Sequence, residues 1–219
     1  MRAILLTVFI VFACIGCSRD EENELTGESD KMKEIIIVAM GDSLTAGYGL
    51  SEEESYPAIL DRRLRTEGYN CRVINSGVSS ETSSGALSRI DWVLGLSPDI
   101  VILETGANDG LRGIDPVLVE KNIREILFRL NEAEVVIVLA GMKMVWNLGP
   151  AYVKKFNAIY PELADEFSTV FMPFFLEDVA MKRSKTISDG LHPNAEGYKM
   201  IVENIYPYVL EAVMRKQNR

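Results

Sequence analysis

The sequence predicts an α/β domain of three layers, α/β/α, in which a five-stranded parallel sheet lies between helices. Three observations predict it. Five short apolar runs rich in β-branched residues recur along the chain, and segments with a helical apolar period separate them. The 219 residues, 47% hydrophobic and 25% charged, also suffice for one sizeable core. Strands that alternate with helices pair in parallel, because each crossover returns the chain to the same end of the sheet, and helices then cover both faces.

The first run, Ile35 to Met40, ends at Gly41 and reads as a buried strand. Arg72 to Asn75, Asp99 to Thr105, Val135 to Ala140 and Val170 to Met172 repeat the theme. Between them, three groups each share a helical face: Tyr56, Ile59, Leu60 and Leu64; Leu87, Ile90 and Leu94; and Val119, Ile123, Ile126, Leu127 and Leu130. Asp115-Pro116 marks a helix start, an acid at the cap followed by proline at the first helical position, and Gly149-Pro150 marks another. A terminal helix carries Ile201, Val202, Ile205 and Val209. Pro161 and Pro207 are expected to kink or break the later helices, since proline removes a donor and clashes with the preceding turn.

The chain ahead of the first strand has another character. Met1-Arg2 followed by the apolar stretch Ala3 to Ile15 reads as a signal-peptide core, shorter than the ~20 residues of a membrane span. Gly16-Cys17 resembles a bacterial lipobox, in which a small residue precedes a cysteine that is cleaved and lipidated; Cys14 is the alternative attachment site. Residues 1–17 are thus expected to be a lipoprotein-type signal, residues 18–33 a polar tether, and residues 34–219 the folded domain. That reading implies export to the cell envelope with a lipid anchor in a membrane, with soluble secretion as the alternative. Processing at Cys17 leaves Cys71 as the one unmodified thiol, so no internal disulfide is expected, and its place at the head of a strand suits a buried structural residue.

Several classes of function are excluded by what is missing. A formal charge of −9, from 23 Lys and Arg against 32 Asp and Glu, repels phosphate backbones, so no nucleic-acid partner is expected. One histidine cannot build a histidine-rich zinc site, and no metal or organic cofactor is expected. Neither a P-loop nor a G-x-G-x-x-G stretch occurs, and the G-x-S-x-G elbow of α/β-hydrolases is absent as well.

In a parallel sheet chemistry collects beyond the carboxyl ends of the strands. Those ends lead into Gly41-Asp42-Ser43-Leu44, Asn75-Ser76-Gly77-Val78 and Gly106-Ala107-Asn108-Asp109, while Asp189-Gly190-Leu191-His192 precedes the terminal helix. A serine hydroxyl attacks only with a base of near-neutral pKa beside it, and that base needs an anion to fix its tautomer. Asp189 and His192 can meet both needs from one short loop. Singly, each residue has a plainer reading: Asp42 or Ser43 capping a turn, Gly77 and Gly106 making tight turns, and Asn194 capping a helix after His192-Pro193.

Jointly and in order, the four segments resemble the sequence blocks of the SGNH, or GDSL-type, hydrolase superfamily. The longer stretches Gly41 to Gly49, Gly106 to Gly113, Phe156 to Phe167 and Pro173 to Glu177 are similar to the branch of bacterial arylesterases and thioesterase/lysophospholipase I enzymes. The resemblance implies a flavodoxin-like sheet of order 2-1-3-4-5 and a Ser43, His192 and Asp189 triad. It implies an oxyanion hole from the Ser43 N–H, the Gly77 N–H and the Asn108 amide. The chain departs from that branch at Met144-Val145-Trp146-Asn147-Leu148, where a proline-containing segment is usual. Leu111, Met144, Trp146, Leu148 and Tyr152 are the candidate acyl-pocket residues. The expected activity is hydrolysis of carboxylic esters through an acyl-enzyme, with aryl esters, lysophospholipids and thioesters open as substrates. Two alternatives stand beside it: an O-acetyl esterase acting on envelope polysaccharide, and a non-catalytic flavodoxin-like flavin-binding module.

Overall fold

The computed structural model describes residues 33–144 and 148–219. The expected signal segment, Cys14, Cys17 and nearly all of the tether lie outside the described residues, as does Trp146. Among the described residues no helix is long and apolar enough to cross a membrane.

Five strands form the sheet: β1 (Ile35–Gly41), β2 (Cys71–Gly77), β3 (Ile100–Glu104), β4 (Val136–Ala140) and β5 (Val170–Met172). Every pairing is parallel and the order is β2-β1-β3-β4-β5, as the resemblance implied. β3 and β4 are buried along their whole length, which explains why they read as continuous apolar runs without alternation. Cys71 is buried at the head of β2, where desolvation pushes its thiol up to about 11, as suits an inert structural residue.

Helices α1 (Ser43–Ala46), α2 (Tyr56–Thr66), α3 (Ser83–Ser88), α4 (Ile90–Gly95), α5 (Ala107–Leu111), α6 (Pro116–Glu132), α7 (Pro150–Glu166) and α8 (Ala195–Gln217) complete the domain. α2 and α8 pack together over one face of the sheet, and α6 and α7 cover the other, with α3 and α4 against α6. α6 starts where its signal placed it, with Asp115 accepting from the Val117 N–H and Pro116 opening the first turn. Its predicted stripe, Val119, Ile123, Ile126, Leu127 and Leu130, is fully buried.

Two expectations need correction. Pro161 and Pro207 do not break their helices: α7 and α8 run through them. Buried side chains flank both positions, Ile159, Tyr160 and Leu163 in α7 and Ile205, Tyr206 and Val209 in α8, so tertiary packing offsets the one lost backbone bond in each. The single helix expected around Leu87, Ile90 and Leu94 is two short ones, interrupted at Arg89.

Candidate active site

The carboxyl ends of β1, β2 and β3 lie side by side because those strands are neighbours in the sheet. β1 ends in Gly41, and α1 begins at once with Ser43 as its first residue. Asp42 caps that helix, its Oδ1 accepting from the Leu44 N–H at 2.9 Å, so the plain capping reading holds as well. The turn is possible because Gly41 lacks a side chain: a Cβ there would fall 2.1 Å from Thr45 Oγ1 and 2.5 Å from Glu104 Oε2. Ser43 is held at a strand-to-helix junction, nearly buried, with its hydroxyl on a cavity.

The late loop supplies the other half. Ile187 N–H donates to the His192 carbonyl at 2.9 Å and Thr186 pairs with Pro193, so residues 186–193 double back on themselves. Gly190 takes the left-handed conformation, φ 72°, that this turn demands. Asn194 then caps α8, accepting from the Gly197 N–H at 3.0 Å. Within the loop Asp189 Oδ1 accepts from the Leu191 and His192 backbone N–H groups at 2.8 and 3.0 Å, leaving Oδ2 to accept a hydrogen bond from His192 Nδ1 at 2.6 Å. Across the cleft His192 Nε2 lies 2.9 Å from Ser43 Oγ. Desolvation raises the Asp189 carboxyl, but the hydrogen bonds from the His192 ring, the Leu191 N–H and the His192 N–H outweigh it and hold the group at about 2. It is therefore an anion at neutral pH, and it fixes the tautomer that leaves Nε2 free to accept a proton.

Asn108, in the first turn of α5, sends Nδ2 to Asp42 Oδ2 at 2.9 Å. One amide hydrogen is thereby used for orientation and the second stays available. Gly77 is placed differently from expectation. Its N–H donates to Asn75 Oδ1 at 2.9 Å, and it is not among the residues lining the cavity. A Cβ at Gly77 would fall 2.1 Å from the Ala46 nitrogen, so the glycine is needed for the close approach of α1. The loop residues that do line the cavity are Ser79 and Ser80. Ser80 has φ 67°, a left-handed conformation rare for serine, and its N–H meets no acceptor among the described residues.

The profile of the GDSL-like Lipase/Acylhydrolase family matches residues 39–200. The chain belongs to the GDSL-like lipase/acylhydrolase family. It is 34% identical over 172 residues to Esterase TesA of Pseudomonas aeruginosa, which covers 78% of this chain and 86% of that protein. It is 33% identical over 201 residues to an arylesterase of Vibrio mimicus, covering 91% and 94%. Among solved structures, TesA superposes with a TM-score of 0.77 at 32% identity over 81% of this chain and 99% of that one. AlinE4, an SGNH-hydrolase family esterase, does so with a TM-score of 0.69 at 42% identity over 82% and 97%.

Around the serine of this GDSL-like chain lies a cavity of about 670 Å³. Of the candidate pocket residues, Leu111 and Met144 line it. Leu148 and Tyr152 do not: Leu148 is at the surface, and Tyr152 stacks on Phe156 while its hydroxyl donates to the Ile114 carbonyl at 2.8 Å. The walls include Met142, Phe174, Leu176, Met181 and Leu191, which the sequence reading missed. They lie in loops with no periodic pattern to single them out. Tyr48, inside the Gly41 to Gly49 stretch, was not singled out; its ring centroid is 4.6 Å from that of His192.

Proposed function

We propose that this chain is a serine esterase in which Ser43 is the nucleophile, His192 the general base and acid, and Asp189 the anion that orients the imidazole. The observation that carries the reading is the unbroken relay Ser43 Oγ, His192 Nε2, His192 Nδ1, Asp189 Oδ2, with contacts of 2.9 and 2.6 Å at the wall of an apolar cavity. In the first step Ser43 Oγ bonds to the ester carbonyl carbon while its proton passes to His192 Nε2. The tetrahedral intermediate then collapses, and the alkoxy oxygen leaves with that proton as an alcohol. Water repeats the sequence on the acyl-enzyme, releasing the acid and restoring the serine.

The negative charge on the carbonyl oxygen needs donors placed in advance. The free hydrogen of Asn108 Nδ2 and the Ser43 N–H serve in this reading, and the Ser80 N–H takes the part that the family resemblance implied for Gly77. The apolar walls suit an acyl or aryl group better than the acetyl ester of a polysaccharide. Relatives named arylesterase and thioesterase 1/protease 1/lysophospholipase L1 support aryl esters, acyl thioesters and lysophospholipids as candidates. The test is a fluorophosphonate probe together with an activity profile across acyl lengths. Wild type should be labelled and Ser43→Ala should not, and full labelling of the variant would overturn the assignment. A profile confined to acetyl esters of sugars would replace the substrate class while leaving the mechanism.

The amino-terminal reading extends the proposal to the cell envelope, with Cys17, or Cys14 in its place, carrying a lipid and residues 18–33 spanning the gap to the domain. Cys17→Ser should release the protein from membranes. Retained acylation in that variant would assign the anchor to Cys14.

A further inference from the structure

The interruption between α3 and α4 falls on a residue with an unusual set of partners. Arg89 turns its guanidinium back under the β2–α3 loop, where Nε and Nη2 donate to the two carboxylate oxygens of Glu81 at 2.6 and 2.7 Å. Nη1 donates to Ser76 Oγ at 2.7 Å, and Nη2 also reaches the Ser76 carbonyl at 2.9 Å and the Gly41 carbonyl at 3.3 Å. The pair is largely out of solvent, with side chains 16% and 6% exposed, whereas most ion pairs among the described residues lie at the surface. Gly85 permits the arrangement, since a Cβ there would come within 2.9 Å of the Glu81 side chain.

The partners of Arg89 span three parts of the site. Gly41 ends β1 two residues before Ser43, and its carbonyl also accepts the Val78 N–H at 2.9 Å. Ser76 belongs to the end of β2, and Glu81 follows Ser80 directly. A planar fork with five donors can tie these points in one fixed geometry, which a lysine ammonium cannot do. The far side of the same loop is fastened to the Asn108 block: Asp109 accepts from the Ser83 N–H and hydroxyl at 2.7 and 2.6 Å, and Arg112 Nη2 donates to the Ser80 carbonyl at 2.9 Å. Ser80, an L-residue held at a positive φ, thus sits between two anchors, and such a conformation persists only where its surroundings over-determine it.

We propose that Arg89 is a positioning residue for ester hydrolysis, which through its bidentate pair with Glu81 and its bonds to the Ser76 and Gly41 carbonyls fixes the Ser80 N–H relative to Ser43. The inference rests on the reading of Ser43 as nucleophile and Ser80 as an oxyanion donor. Arg89 itself touches no reacting atom. Its contribution is geometric, and a shift of about 1 Å in a catalytic group can cost about 10²-fold in rate.

The test compares Arg89→Lys and Glu81→Gln with wild type, with kcat expressed per active site titrated by an organophosphorus reagent. Counting titrated sites removes any loss due to unfolded protein. Each variant should lower kcat per site by about 10–100-fold and leave KM within about threefold. The double variant should be no worse than the poorer single one, because the two residues act as a unit. A kcat per site within about threefold of wild type in both single variants overturns the proposal, as does a change confined to KM. If Arg89→Lys yields no titratable sites, Glu81→Gln decides by the same criteria. Normal titration of the variants with unchanged kcat would remove the role of Arg89 and leave Ser43 in place, whereas labelling of Ser43→Ala removes the reading beneath it.

Discussion

Asn108 Nδ2 and Asp42 Oδ2 are joined by a hydrogen bond of 2.9 Å, so the residue that precedes the candidate nucleophile also aims the side-chain amide facing it. Asp42 reaches in two directions at once. Its other oxygen caps α1 through the Leu44 N–H, which couples the orientation of the serine to that of the amide.

Replacing either partner should therefore affect turnover more than binding. Asn108→Ala is expected to lower kcat by about 10²–10³-fold, the usual cost of removing one oxyanion donor. Asp42→Ala leaves the amide in place but unaimed and should cost about 10–100-fold. Steady-state kinetics on one activated ester, with both variants titrated for active sites, checks the order. An Asp42→Ala loss confined to KM would contradict the coupling.

The proposed triad predicts a steeper response. His192 is the only histidine of the chain, so His192→Ala has no substitute base and should cost about 10⁴–10⁶-fold in kcat. Asp189→Asn should cost about 10⁴-fold, because an amide presents the wrong partner to Nδ1. The same aspartate makes a pH-dependent contribution to stability. Its carboxyl is held at about 2 in the folded chain against an ordinary 3.8, so the stabilisation is fully present above about pH 4 and disappears as pH falls toward 2. The difference in melting temperature between wild type and Asp189→Asn should close over that interval, and a difference that stays constant down to pH 2 would contradict the assignment.

Much of this arrangement was legible in the sequence because its determinants are local. β3 and β4 were visible as apolar runs, and the cap at Asp115 and the stripe of α6 need only their own residues to be recognised. The loop from Asp189 to His192 was legible for the same reason, since its hydrogen bonds span three residues. What escaped depends on distant partners. The break at Arg89 follows from contacts with Gly41 and Ser76, which lie 48 and 13 residues away. Continuity through Pro161 and Pro207 follows from packing that no local propensity records. The resemblance assigned the second backbone donor to Gly77, yet here that glycine answers the backbone of α1 while Ser80 takes the positive φ.

That exchange of roles can be tested directly. Gly77→Ala should lower stability by about 1–3 kcal/mol, because its Cβ would press on the Ala46 backbone and something must shift. Ser80→Gly relieves the left-handed conformation and should retain stability and turnover, whereas Ser80→Val should lose about 1–2 kcal/mol as a β-branched residue at positive φ. Chemical denaturation of the three variants distinguishes them. A Gly77→Ala variant as stable as wild type would show that α1 does not depend on the missing side chain.

Beneath the nucleophile loop, Glu104 offers the last test. It sits fully buried at the end of β3, its Oε2 accepting from the Asp42 N–H at 3.2 Å and from the Thr45 hydroxyl at 2.9 Å. Its Oε1 has no partner among the described residues, and neither do the buried hydroxyls of Tyr56 and Tyr198. Burial foremost, and then the neighbouring Asp42 carboxyl, hold Glu104 well above its ordinary 4.5, which favours its protonated form in the folded chain. A carboxyl raised on folding stabilises most below its unfolded value, and that stability is lost as pH climbs toward the folded one. Glu104→Gln keeps an acceptor for Asp42 and Thr45 and cannot ionise. Relative to wild type it should gain stability as pH rises above about 4.5, until Glu104 ionises in the folded state. Glu104→Ala removes the acceptor altogether and should be destabilised across the range, with turnover reduced because the Asp42 N–H and Thr45 hydroxyl lose the group that anchors the loop. Denaturation curves from pH 4 to 8 decide the matter: a Glu104→Gln difference that does not grow with pH would mean that the buried carboxyl is ionised in the native state.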